Sequence, residues 1–169
     1  MKPHLKYGLI VTSTGIILSL IAFIAGLDKS DAGQYIGWLN IPIMIVLMVM
    51  AIKEMRTKFL DGFITFGQAF KTTSLMVLIS SFLTAIYTYL YFTVINPSMV
   101  DYIREKQIMG MEERGMSSDQ IDQAMAMSEK FMSPVMMTVF AFLGGILLGI
   151  IAAAIVSAIV KKPNPNAIS

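Results

Sequence analysis

Several residue types that common protein functions require are absent or scarce in this sequence. Its 169 residues include no cysteine and a single histidine, His4. The absence of cysteine excludes disulfides, a thiolate nucleophile and cysteine-ligated metal. One histidine near the N-terminus argues against a zinc site or a histidine-based catalytic triad within this chain.

Charge is scarce as well, because Asp, Glu, Lys and Arg make up only 14% of the residues. An average soluble domain has about 25%. The hydrophobic residues, 56% of the chain, collect in long runs that have no charge at their centres. Ion-coupled transporters usually need an ionisable group there. Neither paired carboxylates within the runs nor a phosphate-binding loop is present, so we predict no enzyme, no cofactor and no metal site.

Four apolar runs are long enough to cross a bilayer, whose hydrocarbon core of roughly 30 Å requires about 20 helical residues. They cover about residues 7–27, 36–52, 74–95 and 135–160. In the second run we expect a kink or a late helix start near Pro42, because proline lacks an N–H and clashes with the preceding turn. The fold class predicted is all-α, a four-helix transmembrane bundle that forms one membrane domain over residues 1–169.

The segments between and after the runs are polar. Residues 98–133 carry seven acidic and four basic residues, and two helices are predicted there as an extracytoplasmic hairpin. The second of these helices starts at Ser117, where the sequence Ser-Ser-Asp-Gln matches a capping box. Tyr91 and its aromatic neighbours end the third run, as is typical of an aromatic belt. The proline-containing tail, residues 163–169, is predicted to be disordered.

Basic residues indicate the orientation, because cytoplasmic loops of membrane proteins are enriched in Lys and Arg. The N-terminal segment, residues 53–71 and the pair Lys161-Lys162 are basic. Four crossings place all three segments on one side of the membrane. We therefore expect both termini in the cytoplasm and residues 98–133 outside.

The fourth run has a small residue at every fourth position. These helix-packing candidates are Ala141, Gly145, Gly149, Ala153 and Ser157. Such spacing places them on one helical face, where a second helix can approach closely. Two interpretations stay open: an interface with another copy or another membrane protein, and packing against the first or third run of the same chain. The second is favoured, because this pattern is common in membrane helices.

A polar group precedes the third run, where Thr65, Gln68 and Thr72 share one helical face and Lys71 lies beside it. One hypothesis is a cytoplasmic-side polar site for a headgroup or a substrate. The alternative, which we favour, is an interfacial helix start in which the Lys71 side chain reaches to water.

Methionine is abundant, and nine of the 15 residues lie between Met99 and Met137. Thioether ligands can bind copper(I). However, pairs such as Met109 and Met111 point in different directions on a helix. Methionine also fills apolar faces, so we favour ordinary packing.

The segment Phe63–Thr72, which contains TFGQAFKT, carries a resemblance to a known family. The sequence is similar to domain-of-unknown-function family 4199, small four-helix bacterial membrane proteins. The similarity extends to the start at Lys6-Tyr7-Gly8-Leu9, to Gly115-Met116-Ser117 and to Ser133-Pro134. It implies a multi-pass protein of the bacterial cytoplasmic (inner) membrane, and it implies no catalytic residue.

Three functional hypotheses follow. The first is a non-enzymatic membrane protein that acts through helix contacts, as an oligomer or an accessory subunit. The second is a small transporter or channel component, suggested by polar residues of the second and third runs, namely Asn40, Pro42, Ser80, Ser81, Thr84 and Thr88. The third is a lipid-acting enzyme that uses either the cytoplasmic region of Gln68 and Lys71 or the acidic residues of the outer segment. The expected partners are the lipid bilayer and a second copy or another membrane protein, with no nucleic acid.

Overall fold

The computed structural model describes residues 1–165, and most of them are helical. A single pair of antiparallel backbone hydrogen bonds, between Ile64 and Lys162, is the only β-type pairing within this range. The helices are α1 (Pro3–Ile24), α2 (Asp31–Trp38), α3 (Asn40–Phe59), α4 (Phe66–Leu90), α5 (Ser98–Glu112), α6 (Ser118–Ser128) and α7 (Pro134–Val160). A π-helical turn, Tyr91–Ile95, continues α4, and a 3-10 turn, Glu129–Phe131, continues α6. The tail prediction falls partly on residues 166–169, which lie outside the described range.

Four helical segments are long and apolar enough to cross a membrane. They are Pro3–Ile24, Asp31–Phe59, Phe66–Ile95 and Pro134–Val160. The predicted all-α fold with four apolar helices is thereby confirmed. In the order of the chain, these segments are called the first to fourth spans below.

The helices extend beyond the apolar runs. Helix α3 continues through the basic residues after the second run to Phe59, and α4 begins at Phe66. The connection is therefore short, because backbone hydrogen bonding continues where the apolar sequence stops. The interruption expected near Pro42 lies at Leu39, between α2 and α3. Pro42 has no N–H to donate to the Trp38 carbonyl four residues earlier, which accounts for a break at that place.

The contacts divide the chain into two units, Met1–Thr84 with Leu143–Ser169, and Ala85–Phe142. The core of the first unit draws on all four spans. It consists of Tyr7, Val11, Met48, Ala51, Ile52, Ile64, Ala69, Met76, Val77, Ala153 and Val156. Large apolar side chains elsewhere on these helices are exposed, such as Ile17, Ile24 and Ile159. Exposed apolar faces are what a helix needs where it contacts lipid instead of water.

The second unit is held by local contacts. Ser117 and Gln120 form the predicted capping box at the start of α6. Ile121 and Met132 are buried. A pair of charged groups, Arg104 Nη2 and Glu129 Oε1, lies 3.2 Å apart and links α5 to the 3-10 turn.

One expectation for the second unit changes. The sequence predicts Tyr91 in an aromatic belt, but its side chain is buried in the structure. Its hydroxyl accepts a hydrogen bond of 3.2 Å from Nδ2 of Asn96, and its carbonyl accepts the Asn96 N–H at 2.7 Å. Tyr91 thus provides acceptors for both the backbone N–H and the side-chain amide of the buried Asn96 at the end of the third span. Buried polar groups need such partners.

Candidate functional site

A carboxylate near the end of α3 connects two spans of the first unit. Glu54 accepts hydrogen bonds from Lys6 Nζ at 2.7 Å, from the Tyr7 hydroxyl at 2.8 Å and from Lys58 Nζ at 3.0 Å. The Glu54 side chain is only 12% exposed. Two ammonium groups and a hydroxyl therefore satisfy one carboxylate and fix the start of α1 against the end of α3.

The end of α7 is attached to the connection between α3 and α4. Ile64 and Lys162 exchange two backbone hydrogen bonds, with N···O distances of 2.8 and 2.9 Å. The Lys162 ammonium also lies 5.9 Å from the centre of the Phe63 ring, and the Ile64 side chain is 1% exposed. The three basic segments identified in the sequence thus meet at one end of the first unit. We call it the terminal end (residues 1–7, 54–72 and 161–162).

The predicted polar group lies at this terminal end, and part of it has a structural role. The Gln68 side-chain oxygen accepts from the Thr65 N–H at 2.9 Å, and the Gln68 N–H donates to the Thr65 hydroxyl at 3.3 Å. This reciprocal pair caps α4. The buried Thr72 hydroxyl donates to the Gln68 carbonyl at 2.8 Å, whereas Lys71 is exposed.

Three of the four predicted polar residues, Gln68, Lys71 and Thr72, line a cavity of about 400 Å³. Thr65 does not line it. Lys2 and His4, at the start of α1, also line the cavity, and no sequence pattern pointed to them. The remaining walls are apolar and come from α3, residue 60 and α4, namely Met55, Phe59, Leu60 and Leu75.

The charge of this cavity is positive. No carboxylate is among the residues that line it. Within residues 1–165, Lys2 and Lys71 form no ion pair, unlike Lys6 and Lys58, which both bind Glu54. The Nδ1 atom of His4 is buried and has no hydrogen-bond partner in this range. Such a lining can hold a molecule that joins a negative group to an apolar body.

The five helix-packing candidates of α7 form a small-residue stripe along one face of the helix, and this stripe divides into two parts. Gly149, Ala153 and Ser157 are buried. A Cβ atom at Gly149 would lie 2.5 Å from Val77 Cγ1, so α4 approaches α7 as closely as a glycine allows. The Ser157 and Thr73 hydroxyls form a buried hydrogen bond of 3.1 Å. This part therefore packs against the third span of the same chain.

The other part of the stripe is open. Ala141 and Gly145 are exposed, although a Cβ atom at Gly145 would lie 3.2 Å from the Ser81 hydroxyl oxygen. The neighbouring Gly144 would accept a Cβ with nothing within 4 Å. Gly144 is therefore open at its Cβ position, whereas Ala141 also lines a cavity of the second unit.

The polar residues that suggested a transporter face different neighbours. The Asn40 side chain contacts α1, with its Nδ2 atom 3.1 Å from a Cβ position at Gly15. Its Oδ1 atom is buried and has no hydrogen-bond partner among the described residues. Ser81 faces α7, and Ser80 donates to the Val77 carbonyl of its own helix. Thr88 lines a separate cavity of about 490 Å³ in the second unit.

The second unit has a further groove, of about 460 Å³, between α5 and α6. Its charged lining residues are Arg104, Glu112, Asp122 and Glu129. No group of three or more His, Asp or Glu side chains able to hold a metal ion is found in residues 1–165. Met127 is 75% exposed while Met125 is half-buried, so these two thioethers face different surroundings, as helical spacing requires.

Comparison with known proteins gives one match. Residues 6–162 match the family described as "Protein of unknown function (DUF4199)". Neither a curated protein nor a solved structure matches the chain. The match includes almost all of the four spans and most of the terminal end, but residues 1–5, with Lys2 and His4, lie outside it.

Proposed function

Since this chain belongs to the DUF4199 family of proteins of unknown function, we propose that it is a non-enzymatic protein of the bacterial cytoplasmic membrane that acts through helix contacts. It works as an oligomer or as an accessory subunit of another membrane protein. Both termini lie in the cytoplasm. The alternatives, a transporter component and a lipid-acting enzyme, have no comparable support.

The observation that supports action through helix contacts is the open part of the stripe on α7. Ala141, Gly144 and Gly145 offer a surface with little or no side chain. In a bilayer, helices associate through close backbone approach and van der Waals contact at small residues. The buried part of the same stripe is already occupied by α4, so Gly149 belongs to the fold and not to the proposed interface.

The test of assembly uses crosslinking in the native membrane, followed by mild-detergent purification and native mass spectrometry. We expect the chain to appear in a stoichiometric complex with a second copy or with one different membrane protein. Gly144→Ile should lower the complexed fraction, because the branched side chain separates the two backbones, and its Cβ position has no neighbour within 4 Å in the same chain. The matched control is Ala158→Ile, which introduces the same side chain at an exposed position in the other half of α7. A wild-type chain that is monomeric in both experiments would overturn the proposal.

The orientation is supported by the meeting of the three basic segments at the terminal end. Lys6 is joined to α3 through Glu54, and Lys162 is joined to Ile64. One face of the membrane therefore receives all three segments, and positive charge favours the cytoplasmic face. Residues 98–133 then lie on the outer side.

The absence of cysteine makes this orientation directly measurable. Thr57→Cys and Gln123→Cys each introduce one thiol at an exposed position. In intact cells, a maleimide that does not cross the cytoplasmic membrane should label Gln123→Cys alone. Thr57→Cys should react only after permeabilisation. The reverse pattern, or labelling of both thiols in intact cells, would show the orientation to be wrong.

A further inference from the structure

The cavity at the terminal end has a composition that neither the fold nor helix association requires. Its walls join α1, α3 and α4, and four of the lining residues are apolar: Met55, Phe59, Leu60 and Leu75. Phe59 is 51% exposed, so an aromatic ring remains accessible at this place. At about 400 Å³ the cavity lies in the lower part of the range of small-molecule sites.

The charges around the cavity are unbalanced. Lys2 and Lys71 line it, and neither forms an ion pair within residues 1–165. At the same end of the unit, Glu54 binds Lys6 and Lys58. The other carboxylate of the terminal end, Asp61, does not line the cavity and forms no ion pair within residues 1–165. Lys2 and Lys71 are therefore left to bind an external anion.

Two further features favour an anion. The N-termini of α1 and α4 are both near the cavity, since it is lined by residues of their first turns. Helix N-termini carry partial positive charge. His4 also lines the cavity and adds a polar ring to a lining that contains no carboxylate.

We propose that this cavity binds an anionic phospholipid. The phosphate interacts with Lys2 and Lys71, and the proximal part of an acyl chain lies along the apolar wall. The apolar wall favours a lipid over a free anion, and the unpaired lysines favour an anionic headgroup over a zwitterionic one. Basic recesses between membrane helices are suited to such headgroups. The proposal is independent of assembly, because Ala141 and its neighbours on α7 do not line this cavity.

The experiment titrates the purified full-length protein with phosphatidylglycerol, and with phosphatidylcholine of identical acyl chains, and follows lipid adducts by native mass spectrometry. Phosphatidylglycerol should bind at a single saturable site and phosphatidylcholine much more weakly. The variant Lys2→Ala/Lys71→Ala should lose about 25-fold in affinity for phosphatidylglycerol, since each lysine near a membrane surface contributes about fivefold. The expected loss should appear as a shift of the titration midpoint.

The matched control is Lys53→Ala/Lys161→Ala, which removes two exposed lysines at or next to the terminal end that do not line the cavity. Its affinity should fall far less than that of Lys2→Ala/Lys71→Ala, because neither ammonium group belongs to the cavity lining. An equal loss in both double variants would mean general surface attraction and would overturn the proposal. Equal binding of the two lipids would overturn it as well.

A separate competition addresses the source of the phosphate. Inorganic phosphate added in excess should leave the phosphatidylglycerol adduct in place, because it cannot occupy the apolar wall. Complete displacement would show that the site takes a free anion, and the lipid proposal would be wrong. Thermal unfolding of all variants checks that they remain folded, which is expected because the four lysines are exposed.

Discussion

The two halves of α7 carry the same kind of residue at the same spacing, but their surroundings differ. In the half that ends at Val160, Gly149, Ala153 and Ser157 are buried against the rest of the first unit. In the half that begins at Pro134, Ala141 and Gly145 are exposed. Neither half contains a charged residue, so charge does not distinguish them.

The difference lies in what faces each half. Val77 fills the space that Gly149 leaves, and the Thr73 hydroxyl lies 3.1 Å from that of Ser157. Small-residue spacing therefore permits a close helix contact but does not select the partner. The partner is selected by shape and by a polar group placed opposite. The exposed half keeps the permissive spacing, which is the basis for proposing an intermolecular contact there.

The largest expected effect comes from filling the buried half. Gly149→Leu should destabilise the folded chain by about 3 kcal/mol, because overpacking a close contact forces the neighbouring side chains to move. Val77 cannot give way easily, since it is 2% exposed and branched at Cβ. The measurement is unfolding in mixed micelles of increasing SDS content, at a dilution that keeps the chain monomeric.

Ala141→Leu is the matched substitution in the exposed half. It should change the unfolding free energy by less than about 0.5 kcal/mol, as is usual for surface positions. Similar destabilisation by both substitutions would mean that the two halves are packed alike in the monomer. The proposed difference in packing between the buried and the exposed half of α7 would then be wrong.

The helices and the division of this stripe were predictable to different degrees. Four apolar runs indicate four spans, and the sequence from Ser117 to Gln120 indicates a capped helix start, because these signals are local. Glu54 also has a local signal, since Lys58 is four residues later on the same helix. Its contact with Lys6 has none, because the two residues are 48 positions apart.

In the candidate cavity, too, only the residues that are close together in the sequence could be predicted. Gln68, Lys71 and Thr72 could be identified from their spacing on one helix. The participation of Lys2 and His4 depends on how α1 packs against α3 and α4, which a single sequence does not encode in any short pattern. Likewise, Thr73 and Ser157 are 84 positions apart, and both resemble ordinary hydroxyl residues of membrane helices. In the sequence Tyr91 fits an aromatic belt, and only the structure shows that it is buried with Asn96 as its hydrogen-bond partner.

The smallest expected effect tests the hydrogen bond of the buried half. Ser157→Ala should lower the unfolding free energy by about 0.6 kcal/mol, the average for such bonds between membrane helices. The loss stays small because the Thr73 hydroxyl keeps two acceptors in its own helix, the carbonyls of Ala69 at 3.1 Å and Phe70 at 3.2 Å. The same SDS unfolding measurement applies, with replicates sufficient to resolve this difference.

Thr138→Ala provides the control in the other half of α7. The Thr138 hydroxyl donates to the Pro134 carbonyl at 2.8 Å, within its own helix, so its removal breaks no bond between helices. We expect no resolvable change for this variant. If Thr138→Ala costs as much as Ser157→Ala, the bond to Thr73 contributes nothing beyond an intrahelical one. The selection of α4 as the partner of the buried half would then depend on the fit of Val77 at Gly149 alone.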